Sequence, residues 1–348
     1  MGSKPPTIYS ERLGAIADEQ LAAAAIRLGL GVFVSAGPTR GGRFGQNLFL
    51  TTDAGEFVLR GAPHWLGGWD DPDYQRFGYR HQFTKESFFV NQVKEHTRAP
   101  APWPYLHDES TDIFGWPYVI MPRMPGSVFN ERTILKALRP HERNEVAVAA
   151  GGLLAELQKL TSSFSGDFDT RTITLTPDEN GHQQVMVATM LASAAGADAN
   201  GVMTPADMDW IAAVARDARS LGERPNTFVH GDYKLDNMTV VQTLGRWQIG
   251  GVFDFQTACF GDGAFDLVHQ TCAYLDTEPA LAQVFVDAYR NDSRSDGSIA
   301  DWIPLYVLKN RVGLWNYFVR RDRSGWSSGK TFMGWAEPYL EQMLRLVC

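Results

Sequence analysis

The sequence has few cysteines and no long apolar run. Its three cysteines, Cys259, Cys272 and Cys348, are odd in number and none of them forms a CxxC pair. This excludes a disulfide framework and argues against a cysteine metal site, so we expect a reducing compartment. The most apolar stretch, residues 145–157, is flanked by acids and is too short to span a bilayer. Because the N-terminus also lacks the apolar core of a signal peptide, we expect a soluble, cytoplasmic protein that binds no membrane.

Positive charge is also in short supply. The chain has 32 Lys and Arg residues against 40 Asp and Glu residues, which gives a net charge of −8. Nucleic acid demands a basic face, so this balance disfavours a nucleic-acid partner and weakly favours a cationic small molecule. The composition is otherwise that of a globular protein, with 44% hydrophobic residues. The 348 residues suit one large or two ordinary domains.

Strand-like runs are concentrated in the first third of the chain. The runs "NLFLTT" and "EFVLR" are separated by "DAG", which indicates a hairpin, and several glycines precede the first run. This glycine-rich segment lacks the GK[ST] of a P-loop, but it is compatible with a loop that folds over a nucleotide. Helical spacing predicts helices over residues 11–30 and 83–97. "YVIMPRMPG", residues 118–126, is typical of a buried strand that ends at prolines.

The pattern becomes mainly helical from about residue 127. Short strands interrupt it only around "FVHGD", "MTVVQ" and "WQIGGVFDF". The sequence therefore predicts a β-rich N-terminal lobe, residues 1–122, and a mainly helical C-terminal lobe, residues 123–348, with a cleft between them. The helices of the second lobe are predicted over residues 140–160, 184–195, 205–221, 264–275, 278–290, 302–321 and 331–346.

The octet "HGDYKLDN", residues 230–237, concentrates acids, an amide and a lysine in one short segment. Folding back the hairpin that follows it would bring Asp254, in "GVFDF", beside Asn237. Mg²⁺ takes oxygen ligands, often one or two from the protein with the rest from phosphates and water, so we predict Asn237 and Asp254 as metal ligands. Asp232 is then left to accept a proton from a hydroxyl. Lys234, in the same loop, would neutralise a transferring phosphoryl group.

The octet and the later segment "GVFDFQTACFGDGAFDL" together resemble the aminoglycoside phosphotransferase family, relatives of choline kinases and, more distantly, of protein kinases. The family pattern is HGDxxxxN, then [IV]DF or [IV]DW, then GDPxxDL, and Gly263 stands where the proline is common. The resemblance extends from about residue 30 to about residue 320. It implies an α+β, bilobal protein-kinase-like fold with a small β-rich N-lobe and a larger, mainly helical C-lobe.

Three further residues of the C-lobe are expected to have supporting roles. His230 is expected to orient the catalytic loop through hydrogen bonds. Asp262 and Asp266 are expected to cap the following helix and to brace the same loop.

In the N-lobe, the resemblance implies a nucleotide site. Gly42 and Gly45 lie in the loop that would cover the ATP phosphates. Arg60 stands where protein kinases have a lysine that contacts these phosphates, and its guanidinium fork can pair with phosphate and carboxylate alike. An acid on the N-lobe helix should pair with Arg60. We favour Glu86 for this role, with Glu95 as the alternative.

The strand at residues 118–126 would supply the hinge that holds adenine. Pro122 has a carbonyl but no N–H, so it would only accept a hydrogen bond from the adenine edge. Met124 retains its N–H and would donate to the adenine edge.

These observations lead to an ATP-dependent, Mg²⁺-requiring O-phosphotransferase that acts on a small hydroxylated acceptor. An aminoglycoside-like antibiotic is the default acceptor, which implies a role in antibiotic resistance. A metabolic kinase for a sugar, amino alcohol or hydroxy acid is the alternative, and a non-catalytic nucleotide-binding protein is a third reading. Macrolide kinases often carry histidine at the place of Asn237, so a macrolide is less favoured. The sequence leaves open the acceptor, the choice of ATP or GTP, and the oligomeric state.

Overall fold

The fold was obtained as a computed structural model. The structure describes residues 5–39, 46–61, 82–128, 137–169, 172–222, 224–292, 297–321 and 329–347.

A five-stranded antiparallel sheet forms the N-terminal part of the molecule. Its strand order is β3-β4-β5-β7-β6, so the last strand along the chain is inserted beside β5. The predicted hairpin is present as β4 and β5, and Arg60 of β5 lies opposite both Asn47 and Val119. The strands are β3 (Phe33–Pro38), β4 (Asn47–Thr52), β5 (Gly55–Gly61), β6 (Leu106–Asp108) and β7 (Tyr118–Pro122).

The helix predicted over residues 11–30 is wrong at its beginning. A small hairpin of β1 (Thr7–Ser10) and β2 (Gly14–Ile16) occupies the first part, and α1 spans only Asp18–Arg27. Gly14, with a φ of 70°, adopts a left-handed conformation that a helix interior does not allow. The helix begins where Gln20 accepts a hydrogen bond from the N–H of Ala17 at 2.9 Å.

The helix predicted over residues 83–97 is present as α2 (Gln82–His96). It contributes the buried side chains of Phe83, Phe89, Val90 and Val93, and these belong to the core of the C-terminal part of the molecule. The Phe89 ring lies 5.8 Å from that of Phe228 and 5.9 Å from that of Phe260. The helix therefore connects the sheet to the helical part.

Helices dominate the rest of the described chain, close to the predicted bounds. Thr204 shows why one of them begins where it does: its Oγ1 accepts from the N–H of Asp207 at 3.2 Å, and Asp207 accepts from the N–H of Thr204 at 2.8 Å. The helices are α3 (Pro140–Leu157), α4 (His182–Ala199), α5 (Pro205–Ala218), α6 (Ala264–Thr277), α7 (Ala280–Asp292), α8 (Ile303–Arg321) and α9 (Phe332–Val347).

Two small antiparallel sheets lie among these helices. One has the order β13-β12-β8 and the other the order β10-β9-β14-β11. The second includes a hairpin of β9 and β10 that the sequence did not indicate, because "GDFD" and "TLTP" are short and polar. The strands are β8 (Ser127–Val128), β9 (Gly166–Asp169), β10 (Thr174–Pro177), β11 (Thr227–Val229), β12 (Met238–Thr243), β13 (Arg246–Val252) and β14 (Cys259–Gly261).

The described residues form two separate apolar cores. The smaller lies between α1 and one face of the five-stranded sheet, and it includes Leu21, Leu48, Leu59 and Ile120. The larger joins the helices of the C-terminal part to α2. The α+β, bilobal prediction is confirmed. A boundary between residues 122 and 123 stays a prediction. No described helix is both long enough and apolar enough to cross a bilayer.

Candidate active site

The loop that follows β11 is held by backbone hydrogen bonds to one carboxylate. The N–H groups of His230 and Gly231 donate to the two carboxylate oxygens of Asp266 at 2.6 and 2.9 Å. Gly231 has a φ of 79°, and a Cβ there would lie 2.6 Å from the carbonyl oxygen of Thr257. Only glycine fits this position. The glycine of the octet therefore has a local steric cause.

His230 connects this loop to the segment that carries Asp254. Its ring is fully buried, with Nε2 lying 3.1 Å from the carbonyl oxygen of Phe253 and Nδ1 accepting from the N–H of Asp232 at 3.4 Å. Because Nδ1 accepts, the proton of the neutral ring lies on Nε2 and is donated to Phe253. Burial lowers the pKa of His230 against the raising effects of Asp232 and Asp254, which agrees with a neutral, orienting side chain.

Asp232 lies at the centre of a cluster of hydrogen-bond donors. Lys234 Nζ lies 2.7 Å and Asn237 Nδ2 lies 3.0 Å from its Oδ2, and His269 Nε2 lies 3.4 Å from its Oδ1. Burial alone would raise the pKa of the Asp232 carboxyl, but His269 and Lys234 outweigh burial and hold that pKa well below its usual range. The carboxylate is therefore ionised at neutral pH. Lys234, predicted to face a phosphoryl group, contacts Asp232 in this structure.

The structure places the segment that carries Asp254 beside Asn237. The hairpin of β12 and β13 folds back, and the N–H of Phe253 donates to the carbonyl oxygen of Asn237 at 3.1 Å. Asn237 also donates from Nδ2 to the backbone oxygen of Asp232 at 2.9 Å, which turns its amide oxygen away from Asp232. Asp254 has a φ of 72°, a left-handed conformation that aspartate tolerates better than most residues. These two side chains offer the oxygen ligands that a hard cation such as Mg²⁺ prefers, and their role as ligands stays a prediction.

Arg60 pairs with Glu86. Its NH1 lies 3.1 Å from Glu86 Oε2, and both of its terminal nitrogens lie 3.5 Å from Asp254 Oδ1. Tyr105 donates its hydroxyl to the same Glu86 oxygen at 2.9 Å. Glu95, the alternative partner, is a surface side chain that is 64% exposed. Burial alone would lower the pKa of Arg60, but Glu86 and Asp254 raise it above its usual value, so the guanidinium stays charged.

The remaining residues predicted to bind nucleotide are placed in part. Gly42 and Gly45 lie outside the described residues. Arg123 donates its N–H to the carbonyl oxygen of Glu56 at 3.0 Å. Because C=O and N–H point in opposite directions across a trans peptide, the Pro122 carbonyl points away from β5. The Met124 side chain packs closely against Gly251. A Cβ at residue 251 would lie 2.6 Å from the Cβ of Met124.

Asp266 braces the loop after β11, whereas Asp262 caps the following helix. Asp262 accepts from the N–H of Ala264 at 3.0 Å at the start of α6 and from the hydroxyl of Tyr306 at 2.5 Å. Burial raises the pKa of Asp266 to about 7, against the lowering effect of the N–H donors of His230 and Gly231. Neither carboxylate contacts Asp232, Asn237 or Asp254 in the hydrogen bonds and ion pairs of the described residues.

Sequence reasoning missed three side chains at this site, namely Tyr105, His269 and Asn310. His269 lies three residues after Asp266 on α6, so the helical period alone puts the two on one face, and that spacing could have revealed it. Tyr105 and Asn310 are remote in sequence from their partners, and nothing in their local pattern marks them.

A sequence model of the phosphotransferase enzyme family matches residues 37–300. The curated relatives that match are acyl-CoA dehydrogenase family member 11 from Pongo abelii, 24% identical over 258 residues, and the Homo sapiens protein of the same name, 23% identical over 256 residues. In both cases the alignment covers 69% of this chain but only 29% of the relative. This chain therefore spans less than a third of the length of these relatives.

Solved structures of similar fold cover nearly all of the chain. A candidate aminoglycoside phosphotransferase from Ralstonia eutropha aligns with a TM-score of 0.60 and 17% identity, covering 94% of this chain and 97% of that one. Wild-type aminoglycoside 2'-phosphotransferase-IIIa, solved as a GDP complex, aligns with a TM-score of 0.60 and 12% identity, covering 97% and 99%. A thermostable mutant of aminoglycoside phosphotransferase APH(4)-Ia aligns with a TM-score of 0.57 and 16% identity, covering 94% of this chain and 98% of that one. At these identities the likeness concerns the fold alone.

Proposed function

The chain belongs to the phosphotransferase enzyme family, and on that premise we propose that it transfers the γ-phosphoryl group of ATP to a hydroxyl of a small molecule. One observation carries the proposal. A continuous set of contacts joins Asp232 to Asn237, Asn237 to the Asp254 segment, and Asp254 to Arg60. These contacts support the proposal because they join side chains that would serve as a proton acceptor, two oxygen ligands and a phosphate-binding cation, the parts that phosphoryl transfer needs.

In the proposed reaction, Asp232 orients the acceptor hydroxyl and takes its proton. The hydroxyl oxygen forms a bond to the γ-phosphorus while the bond from that phosphorus to the β,γ-bridging oxygen breaks. Arg60 contacts the phosphates, and the Glu86 carboxylate keeps its guanidinium in place. Asn237 and Asp254 would hold Mg²⁺, which neutralises phosphate charge when it is bound.

The hinge assignments belong to the same proposal. The Pro122 carbonyl and the Met124 N–H would contact the adenine edge, and the loop with Gly42 and Gly45 would cover the phosphates. Lys234 would move from Asp232 to the transferring phosphoryl group once the nucleotide is bound.

An aminoglycoside-like antibiotic remains the default acceptor, because the solved relatives of similar fold carry that name. One observation favours the metabolic alternative. The curated relatives are mammalian proteins, and their name refers to acyl-CoA dehydrogenase and not to an antibiotic. A sugar, amino alcohol or hydroxy acid is therefore kept as a second class of acceptor.

The test is ADP release with a panel of aminoglycosides, sugars, amino alcohols and hydroxy acids, with ATP or GTP, in the presence and absence of Mg²⁺. We expect Mg²⁺-dependent release with at least one acceptor class and a product that has gained one phosphoryl group by mass spectrometry. Asp232→Asn is the control for background ATPase. Nucleotide binding without turnover on any acceptor would support the non-catalytic alternative instead.

A further inference from the structure

His269 lies beside the proposed catalytic carboxylate but comes from a different part of the chain. It is on α6, and its Nε2 lies 3.4 Å from Asp232 Oδ1. Lys234 and Asn237 both contact the other oxygen, Oδ2, at 2.7 and 3.0 Å. The two carboxylate oxygens therefore have different surroundings. Oδ2 has two close donors. Oδ1 has one longer contact, to His269, and can still accept a hydrogen bond from the hydroxyl of a bound acceptor.

The neighbours of His269 define which of its nitrogens carries the proton. Asn310 Oδ1 accepts from Nε and NH2 of Arg311 at 2.9 and 2.7 Å. A guanidinium only donates, so the amide oxygen of Asn310 must face Arg311 and its NH₂ group must face His269. Asn310 Nδ2 lies 3.1 Å from His269 Nδ1. Because an NH₂ group only donates, Nδ1 accepts, and the neutral ring carries its proton on Nε2, the nitrogen that lies 3.4 Å from Asp232 Oδ1.

Arg311 anchors the far end of this chain of contacts. Its side chain is 2% exposed, and NH1 lies 3.1 Å from Asp276 Oδ2. The guanidinium carbon lies 4.3 Å from the centre of the Tyr339 ring and 5.4 Å from that of Trp335, both on α9. An arginine held by a carboxylate and two aromatic rings cannot reorient freely. The orientation of Asn310, and with it that of His269, is therefore fixed by the helical core.

We propose that His269 is a positioning residue for Asp232. Its Nε2–H holds Oδ1 in place, so that the remaining acceptor capacity of that oxygen is directed at the acceptor hydroxyl. Arg311 and Asn310 act through His269 by maintaining its tautomer. This inference rests on the proposed function, because it assigns His269 a part in the same phosphoryl transfer.

Three substitutions of His269 distinguish the contributions of its two ring nitrogens. The amide of His269→Gln reaches the place of Nε2 and keeps a donor for Asp232, whereas that of His269→Asn reaches only the place of Nδ1. His269→Phe keeps the ring that packs edge-on against Phe265 at 5.9 Å but has neither nitrogen. His96→Gln, at a histidine that is 54% exposed on α2, is the matched control.

We expect kcat to fall about 10- to 100-fold in His269→Phe and His269→Asn, because displacement of a reacting group by about 1 Å costs this much. His269→Gln should recover a large part of the loss. The KM for ATP should stay at the wild-type value in all three, and His96→Gln should behave as wild type. Wild-type kcat in His269→Phe, or equal kcat in the Gln and Asn variants, would overturn the proposal.

A second measurement decides the inference even if no acceptor is turned over. In protein labelled with ¹⁵N-histidine, ring nitrogen shifts distinguish the Nε2–H tautomer from the Nδ1–H tautomer, and comparison with His269→Gln identifies the signals of His269. We expect the signals of a ring that carries its proton on Nε2. The Nδ1–H tautomer would overturn the proposal, since Nε2 could not then donate to Asp232. Failure of the proposed function would appear separately, as absence of turnover by the wild type on every acceptor.

Discussion

Two clusters of charged side chains make up the candidate active site, and they are built in opposite ways. Around Arg60 one cation serves two carboxylates, those of Glu86 and Asp254. Around Asp232 one carboxylate is surrounded by three donor side chains, those of Lys234, Asn237 and His269. The first cluster therefore has an excess of negative charge, and the second has an excess of donors.

The difference teaches what each cluster can accept. A cluster with one cation and two acids has a net charge of about −1 and can accommodate a further cation, which fits the proposed binding of Mg²⁺ at Asp254. A carboxylate held by several donors stays ionised and fixed in direction, so it is suited to orient an acceptor hydroxyl. The Arg60 cluster is suited to bind a cation, and the Asp232 cluster is suited to keep its own carboxylate ionised.

Asp254→Ala is the change that should break the first cluster most completely. We expect Mg²⁺-dependent turnover to fall by about 10³-fold or more, because loss of a metal ligand removes several kcal/mol of charge stabilisation. Turnover is measured as ADP release over a range of Mg²⁺ concentrations. Asp254→Asn, which still tolerates a left-handed backbone, is the control for folding. Full activity of Asp254→Ala would contradict its assignment as a metal ligand.

Asp232→Asn tests the second cluster. The side chains are nearly equal in size, so the fold and ATP binding should survive, whereas transfer should fall by about 10²- to 10⁴-fold because the amide cannot take a proton. Thermal stability and acceptor phosphorylation are measured on the same preparation. A variant that melts early but turns over normally per folded molecule would show that Asp232 is only structural.

Arg60→Ala should weaken nucleotide handling more than acceptor binding. We expect kcat/KM for ATP to fall by about 10²-fold, since a buried charged hydrogen bond of roughly 3 kcal/mol is lost. Arg60→Lys should recover part of this loss, because it keeps the charge but not the two-point contact. If both variants bound and used ATP as the wild type does, the assignment of Arg60 to the phosphates would be wrong.

Glu86→Ala should lower stability, and Glu95→Gln on the same helix should not. Glu86 is a buried partner of Arg60, and removing one partner of a buried ion pair costs about 3 kcal/mol or more. The Tyr105 hydroxyl would lose its acceptor as well. Glu95 is exposed, so its substitution should change the free energy of unfolding by less than about 0.5 kcal/mol. Denaturant unfolding of the two variants side by side provides the measurement.

Lys234→Met tests the second cluster through the pH dependence of kcat. The pKa of Asp232 is lowered in the folded protein, so the ionised, active form should persist in the wild type to a pH below the ordinary value of about 4. Burial raises the pKa of Asp232 and the Lys234 charge lowers it. Without that charge the pKa of Asp232 rises, so activity is lost at a higher pH as the solution is acidified. We expect the acid limb of the kcat profile to move up by about one pH unit. An acid limb that stays at the same pH as in the wild type would argue that Lys234 does not act on Asp232.

Local patterns predicted the elements of the fold well, and they failed where the choice depends on packing. The octet and the later Asp254 are joined by one hairpin, so local pairing was enough to predict their proximity. Glu86 and Glu95 are nine residues apart, which puts them on opposite faces of a helix, so only one of them can face Arg60, and the sequence favoured Glu86, the residue that pairs with it. Asn310 and His269 are 41 residues apart on two helices, and their meeting depends on how those helices pack.

The position of α2 has a consequence for control. Switched kinases move the helix that carries the acid and so open its ion pair with the strand cation. Here that helix shares its core with the C-terminal part of the molecule through Phe83, Phe89, Val90 and Val93. Exposing each of these side chains would cost about 1.5–3 kcal/mol, and their sum exceeds the 1–3 kcal/mol of a typical allosteric coupling. For the proposed phosphoryl transfer, we therefore expect α2 to keep its position without an activating signal, so that the supply of nucleotide and acceptor and the amount of protein set the turnover.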